Sequence, residues 1–189
     1  MDIEKMINEV RKLYKLQQII PEWEWFLKQV ETAQPEIILE IGMATGASSL
    51  CLSYFTKNLI SIDKLMPKNK NVFDDIRKNC KFIFIKYESV SKECRTILKK
   101  KLDGRKIDVL FIDGEHSYNG AKNDFTKFKK FMKPGGIIGI HDIVASNYHY
   151  QNNCRVYKLW QQIKDKYPSS EKTTTNWGGI GVIKLPTKT

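Results

Sequence analysis

The chain has 189 residues, 41% of them apolar, a size and composition that suit one domain around a single buried core. Its formal charge of +11 raises the question of a nucleic-acid partner. However, 27 of the 32 basic side chains are lysines and only five are arginines, so a solvated cationic surface is favoured over a base- or phosphate-reading one. Four scattered cysteines without a Cys-x-x-Cys pair exclude a zinc knuckle or disulfide scaffold and fit a reducing cytosol, while the absence of a signal-like start or a spanning apolar run points away from a membrane.

In chain order, Ile3, Met6, Ile7, Val10, Leu13, Tyr14 and Ile20 recur at mostly three- and four-residue spacing, which predicts an amphipathic helix ending before Pro21. A second helix is predicted from Glu22 to about Ala33, with Trp23, Phe26, Leu27 and Val30 on one face and Trp25 pointing elsewhere. Residues 1–35 thus form a helical preface to a core at 36–185.

That core opens with Ile37 to Ile41, a β-branched run suited to a strand buried on both faces, followed by a turn with Gly42 and Gly46 and a helix from Ser48 to Thr56. Strand and helix then alternate. The expected strands are Leu59–Asp63, Phe82–Tyr87, Ile107–Ile112 and Gly136–Ile140, and the expected helices Val72–Cys80, Glu93–Leu102 and Asn119–Met132. A helix from Cys154 to Tyr167 and a hairpin, Glu171–Asn176 with Ile180–Leu185 joined through Gly178-Gly179, close the chain. The expected fold is α/β, a Rossmann-like, mostly parallel sheet with helices on both faces.

Strand ends carry the chemistry in such sheets. Glu40 stands at the end of the first strand just before the glycine turn, where a carboxylate repels a pyrophosphate and welcomes a cationic amino-acid group. Asp63 closes the second strand about twenty residues on, where an acid accepts ribose hydroxyls. Ala44 and Ala47 stand where a dinucleotide fingerprint would need glycine. Glu88 and Ser89 end the third strand. At these residues the chain resembles class I S-adenosylmethionine-dependent methyltransferases, whose first motif is acid-x-Gly-x-x-x-Gly and whose second ends in a ribose-binding acid. That resemblance implies S-adenosylmethionine as cofactor, with Glu40, Gly42, Gly46, Asp63, Glu88, Ser89 and Asp113 around it, and a seven-stranded sheet whose last strand inserts antiparallel beside the fifth.

A second constellation is Asp113-Gly114-Glu115-His116-Ser117-Tyr118 at the end of the fourth strand, followed by His141-Asp142 at the end of the fifth. Two carboxylates on neighbouring strand ends suit a hard divalent cation. With Gly135-Gly136, this segment closely resembles a small methyltransferase family that includes cephalosporin-hydroxylase-like and macrolide sugar O-methyltransferases. What the resemblance implies is an O-methyltransferase acting on a small-molecule or sugar hydroxyl. In metal-using relatives the positions of Asp113 and the adjacent His141-Asp142 pair bind magnesium. His141 is a departure that favours manganese or another imidazole-tolerant metal. Asp113 and His116 are the catalytic candidates, His116 as a general base near its unperturbed pKa of roughly 6.5. Tyr148, His149, Tyr150 and Trp177 leave the same sheet edge and are candidates for an acceptor wall, while Tyr118 reads as structural.

Two rival readings use the positive charge: a basic RNA-binding module on a degenerate Rossmann-like scaffold, and an RNA methyltransferase. Neither the Asn-Pro-Pro-Tyr type motif of base amino-methylating enzymes nor the Pro-Cys dipeptide of cytosine carbon-methylating ones is present. A homodimer is compatible with the sequence, which specifies no oligomeric state.

Overall fold

The computed structural model describes residues 1–187. Seven strands form one sheet in the order β3-β2-β1-β4-β5-β7-β6, built from β1 (Ile37–Ile41), β2 (Asn58–Asp63), β3 (Lys81–Lys86), β4 (Ile107–Ile112), β5 (Met132–His141), β6 (Ser169–Lys172) and β7 (Ile180–Lys184). The pairs β1–β2, β1–β4, β2–β3 and β4–β5 are parallel, and β7 runs antiparallel between β5 and β6. The expected insertion of the last strand beside the fifth is what the pairing shows.

Alternation along β1 explains the two cores. Ile37, Leu39 and Ile41 face one layer, in which α5 (Lys92–Leu102), α6 (Tyr118–Phe128) and α8 (Val156–Ile163) pack. Ile38 faces the other, with α1 (Ile3–Leu13), α2 (Ile20–Ala33), α3 (Ala47–Ser53) and α4 (Asn71–Asn79). There Trp23, Phe26 and Phe111 meet with ring centroids 5.0 to 5.4 Å apart, an arrangement worth about 0.5–1.5 kcal/mol per pair beyond the area buried. Trp25 packs half-buried against this cluster.

The main departure from the sequence pattern lies before Pro21. The helical periodicity runs on, but the chain leaves α1 at Tyr14, whose backbone is extended (φ −139°, ψ 146°) and whose hydroxyl donates to Asp75 Oδ2 at 2.5 Å. A tertiary hydrogen bond thereby outweighs weak local propensity. Residues 14–19 become a strap across the C-terminal end of the sheet. α2 begins at Ile20 with Pro21 in its first turn, where the missing N–H has no consequence.

At the other end, the expected long helix is α8 followed by a 3-10 turn at Lys164–Lys166. A short helix, α7 (Asn147–Gln151), capped by Ser146, precedes it. β6 is an exposed edge strand, shorter and earlier than expected, so residues 173–179 form a loop rather than strand. No helix among the described residues is long and apolar enough to cross a membrane.

Candidate functional site

The strand order reverses between β1 and β4, and at the C-terminal ends of these strands a cleft of about 1180 Å³ opens. That is where ligands sit in open α/β sheets, and the volume exceeds the usual span for one small ligand of roughly 300–1000 Å³, leaving room for two.

The floor is the turn Gly42–Gly46. Gly42 has φ +92°, and a Cβ there would come 1.9 Å from the Asp113 carbonyl oxygen. Gly46 has φ +85°, with a Cβ 2.8 Å from Val72. Only glycine gives both the left-handed backbone and the close approach of β1 to β4. Gly42, Met43, Ala44 and Thr45 line the cleft, whereas Gly46 serves the turn from behind.

Glu40 is placed differently from its sequence expectation. Even-numbered β1 positions point to the α3 side, so its carboxylate lies fully buried beneath the turn and does not line the cleft. It accepts hydrogen bonds from Ser48 Oγ (2.6 Å), Ser61 Oγ (2.7 Å) and Ser49 Oγ. Burial pushes its pKa up to about 7, against the opposing pull of the three hydroxyls. Ser48 does line the cleft. Because its proton is committed to Glu40, its free lone pairs are what it presents there.

Asp63 lies at the cleft wall as expected. Its Oδ2 accepts from Met43 N and Ala44 N, both at 2.9 Å, and its Oδ1 from Leu65 N at 2.9 Å, so it braces the turn while retaining lone pairs for a ligand. Glu88 and Ser89 also line the cleft, next to Tyr87 and Val90. Behind them Asp124 of α6 is fully buried with no hydrogen-bond partner for either oxygen among the described residues, and burial pushes its pKa up to about 6.

The opposite end of the cleft gathers Asp113, His116, His141 and Asp142. His141 Nδ1 lies 3.0 Å from Asp113 Oδ1 and 3.4 Å from Asp142 Oδ1. His116 Nε2 lies 3.6 Å from Asp113 Oδ1 and 3.5 Å from Asp142 Oδ2. Burial alone would raise the Asp113 pKa, but His141 and then His116 hold it well below the usual carboxylate range. Burial likewise works against a charged His141, yet Asp113 and then Asp142 raise it to about 9. His116 is raised by Asp113 first and Asp142 second. A proton on His141, and a proton affinity raised at His116, therefore offset two converging carboxylates, the compensation that such a pair requires.

The donor set also fits a divalent cation. One ligand atom from each of Asp113, His141 and Asp142 lies within 4.8 Å of the others, and His141 Nε2 is buried without a partner among the described residues. Asp142 adopts φ +62°, a left-handed conformation costing on the order of 1 kcal/mol for a non-glycine residue and common where function fixes the backbone. A second trio, Asp142, His149 and Cys154, is equally close. There both imidazole nitrogens are taken: Nδ1 donates to Val144 O at 2.6 Å and Nε2 accepts from Gly178 N at 3.1 Å. Burial also raises the Cys154 thiol to about 11. The first trio is thus the better metal candidate.

Several residues of the site escape sequence reasoning. The last turn of α1 contributes Arg11 to the cleft and the strap contributes Lys15 and Gln18; Gln18 Nε2 donates to Asp113 Oδ2 at 2.5 Å, and Thr45 Oγ1 donates to Lys15 O at 2.7 Å. Nothing in a contact across 95 residues is visible in one sequence. On the far wall Tyr148 and Trp177 stand 6.0 Å apart, with His149 and Thr175 beside them. Tyr150 does not line the cleft, and its ring instead lies under the Arg155 guanidinium at 4.3 Å. Buried Glu22 clamps the loop carrying Trp177, accepting from Thr174 N (2.7 Å), Thr174 Oγ1 (2.9 Å) and Gly179 N (2.8 Å). Tyr118 hydrogen-bonds Gln162 at the surface, outside the cleft, in keeping with a structural part.

This strand order with a cleft over the β1–β4 switch point defines the class I S-adenosylmethionine-dependent methyltransferase fold. Residues 39–143, more than half of the chain, match the model of the methyltransferase domain family, and the chain belongs to that family. It is similar to uncharacterized protein R132 of Acanthamoeba polyphaga mimivirus, 36% identical over 114 residues that cover 55% of this chain and 50% of that one, so the chain spans about half the length of the curated relative it matches. Among solved structures it is similar to the O-methyltransferase from Bacillus cereus in complex with SAH, with TM-score 0.65, 15% identity and coverage of 95% of this chain and 90% of that one. It is also similar to the O-methyltransferase TomG from Streptomyces achromogenes in complex with SAM, with TM-score 0.59, 16% identity and coverage of 100% and 91%. At these identities what is shared is the fold.

Proposed function

We propose that the protein transfers a methyl group from S-adenosylmethionine to a hydroxyl oxygen of a small molecule or sugar, with a divalent cation assisting. The observation that carries this reading is the acid and imidazole cluster of Asp113, His116, His141 and Asp142 at one end of a cleft whose other end is the glycine turn and Asp63. Asp63, Glu88, Ser89 and the turn Gly42–Thr45 are the residues assigned to the cofactor, with Glu40 acting from below through Ser48. Bound cofactor supplies a sulfonium methyl, and an in-line displacement needs little of the protein beyond alignment of two partners and removal of one proton.

Asp113 and Asp142 orient the acceptor hydroxyl, and His116, half-exposed at the cleft wall, takes its proton as the oxygen–carbon bond forms and the carbon–sulfur bond breaks. Its raised pKa makes it a stronger but less often vacant base at neutral pH. Magnesium or manganese would be held by Asp113, Asp142 and His141, where it would displace the neutralising proton and lower the hydroxyl pKa. Tyr148 and Trp177 supply an aromatic wall for the acceptor. The test is labelled-methyl transfer from S-adenosylmethionine to a panel of catechols, other phenols and sugars. Turnover of an accepted compound should fall to background on chelation and return with magnesium or manganese; full activity in excess chelator would retire the metal and leave His116 as the base.

A further inference from the structure

Away from the cleft, a groove of about 280 Å³ runs between α5 and the end of α6, lined by Lys92, Arg95, Thr96, Lys99, Lys127, Lys130 and Phe131. It holds five cations and no carboxylate. None of the five forms a salt bridge among the described residues, although the chain's other lysines include several paired with acids, such as Lys12, Lys28, Lys78 and Lys133. The arrangement follows helical phase. Positions 92, 95, 96 and 99 form one stripe of α5, and 127 and 130 lie one turn apart on the facing element.

Arg95 is fixed rather than mobile, because its Nη1 donates to Val90 O at 2.7 Å and Ser91 O at 2.8 Å, and Lys127 Nζ reaches the same Val90 carbonyl at 3.4 Å. Val90 lines the cofactor cleft, so the groove adjoins the cleft wall at the β3 side, remote from the acid and imidazole cluster. Lys100 and Lys101 extend the positive charge toward the end of α5.

The geometry points to a binding site for a nucleic-acid strand, held through its phosphodiester backbone, in the groove between α5 and α6. Five cations without a salt-bridge partner among the described residues repel one another, and a polyanion relieves that repulsion. The α5 stripe from Lys92 to Lys99 is about 10 Å long at 1.5 Å per residue, which matches about three successive phosphates of a stacked strand at roughly 3.4 Å each. A lipid surface fits less well: the large exposed apolar side chains, including Leu65, Met66 and Tyr87, lie outside α5 and α6, leaving only the half-buried Phe131 on this face, too little apolar surface to enter a bilayer. With four lysines and one backbone-tethered arginine, the groove positions phosphates and does not read bases. This inference is independent of the methyl acceptor, and it reverses the expectation that the lysines of this region are only solvated surface.

The experiment is fluorescence anisotropy of the full chain with a labelled oligouridylate over a salt series. Binding should be independent of sequence, with log affinity falling against log salt at a slope of up to about 3.5 for five phosphate contacts. The groove double variant Lys99→Glu with Lys130→Glu should bind roughly tenfold more weakly, with the slope reduced by about 1.4. A control of equal net charge, Lys5→Glu with Lys172→Glu, should stay close to wild type. Unchanged S-adenosylhomocysteine binding and thermal melting in both variants would show that the fold and cleft are intact. Equal losses in the two variants, no oligonucleotide binding, or capture by phosphatidylserine vesicles in place of the oligonucleotide would each overturn the assignment.

Discussion

Glu40 is a buried acid whose environment makes a quantitative demand. Its carboxylate has no solvent contact and three serine hydroxyls as donors, and burial raises its pKa from 4.5 to about 7. At 1.36 kcal/mol per tenfold change in proton affinity, the ionised form is disfavoured in the folded chain by roughly 3 kcal/mol relative to the unfolded one. The folded state holds the extra proton between pH 4.5 and about 7, so stability falls as pH rises through that window and is level above it. Glu40→Gln keeps the shape and removes the titration. Urea unfolding of both proteins at about pH 5 and about pH 8 should show near-equal stability at the lower value and a variant more stable by up to about 3 kcal/mol at the higher. Other groups titrate in both proteins and cancel in the difference. Parallel stability curves would refute the argument, because the three serines would then fully solvate the charge.

Asp124 should behave in the same direction over a lower window: with its pKa pushed up to about 6 and both oxygens unpartnered, Asp124→Asn should raise the melting temperature at pH 7 and leave it unchanged near pH 4. No gain at pH 7 would count against an uncompensated charge there. Removing the Glu22 clamp in Glu22→Ala leaves the Thr174 and Gly179 amides without their acceptor, a loss of about 3 kcal/mol in total. Hydrogen exchange at those two amides should accelerate well beyond that in α1, and uniform acceleration would instead indicate global loosening.

Much of this was readable because buried parallel strands leave continuous apolar runs: β1 and β4 have the bounds their sequences imply, and Asp63, Asp113 and Asp142 fall at strand ends simply by ending those runs. The glycine turn was readable because φ near +90° and a carbonyl 1.9 Å from any Cβ leave no other residue type. What the sequence concealed depends on which face a side chain takes and on distant contacts. Glu40 lies under the turn because β1 phase points it at α3, and its partner Ser61 was the one available signal, a lone hydroxyl inside Leu59-Ile60-Ser61-Ile62. Gln18 was hidden by a helical periodicity that continues past Leu13, where the Tyr14–Asp75 bond, 61 residues apart in sequence, peels the chain away to form the strap. The short α7 carries too few apolar residues to announce itself, and the exposed β6 has none to fix its bounds, so it begins at Ser169 where the expected strand began at Glu171.

The most direct measurement is calorimetric titration of the protein with S-adenosylhomocysteine. One site should saturate, and Asp63→Ala should weaken it by at least tenfold, about 1.4 kcal/mol, through loss of a cleft carboxylate that also braces the Met43 and Ala44 amides. Glu40→Gln, beneath the turn, should bind with less than that loss. Absence of binding at near-millimolar ligand, or equal affinity in wild type and Asp63→Ala, would contradict the assignment of this cleft to the cofactor.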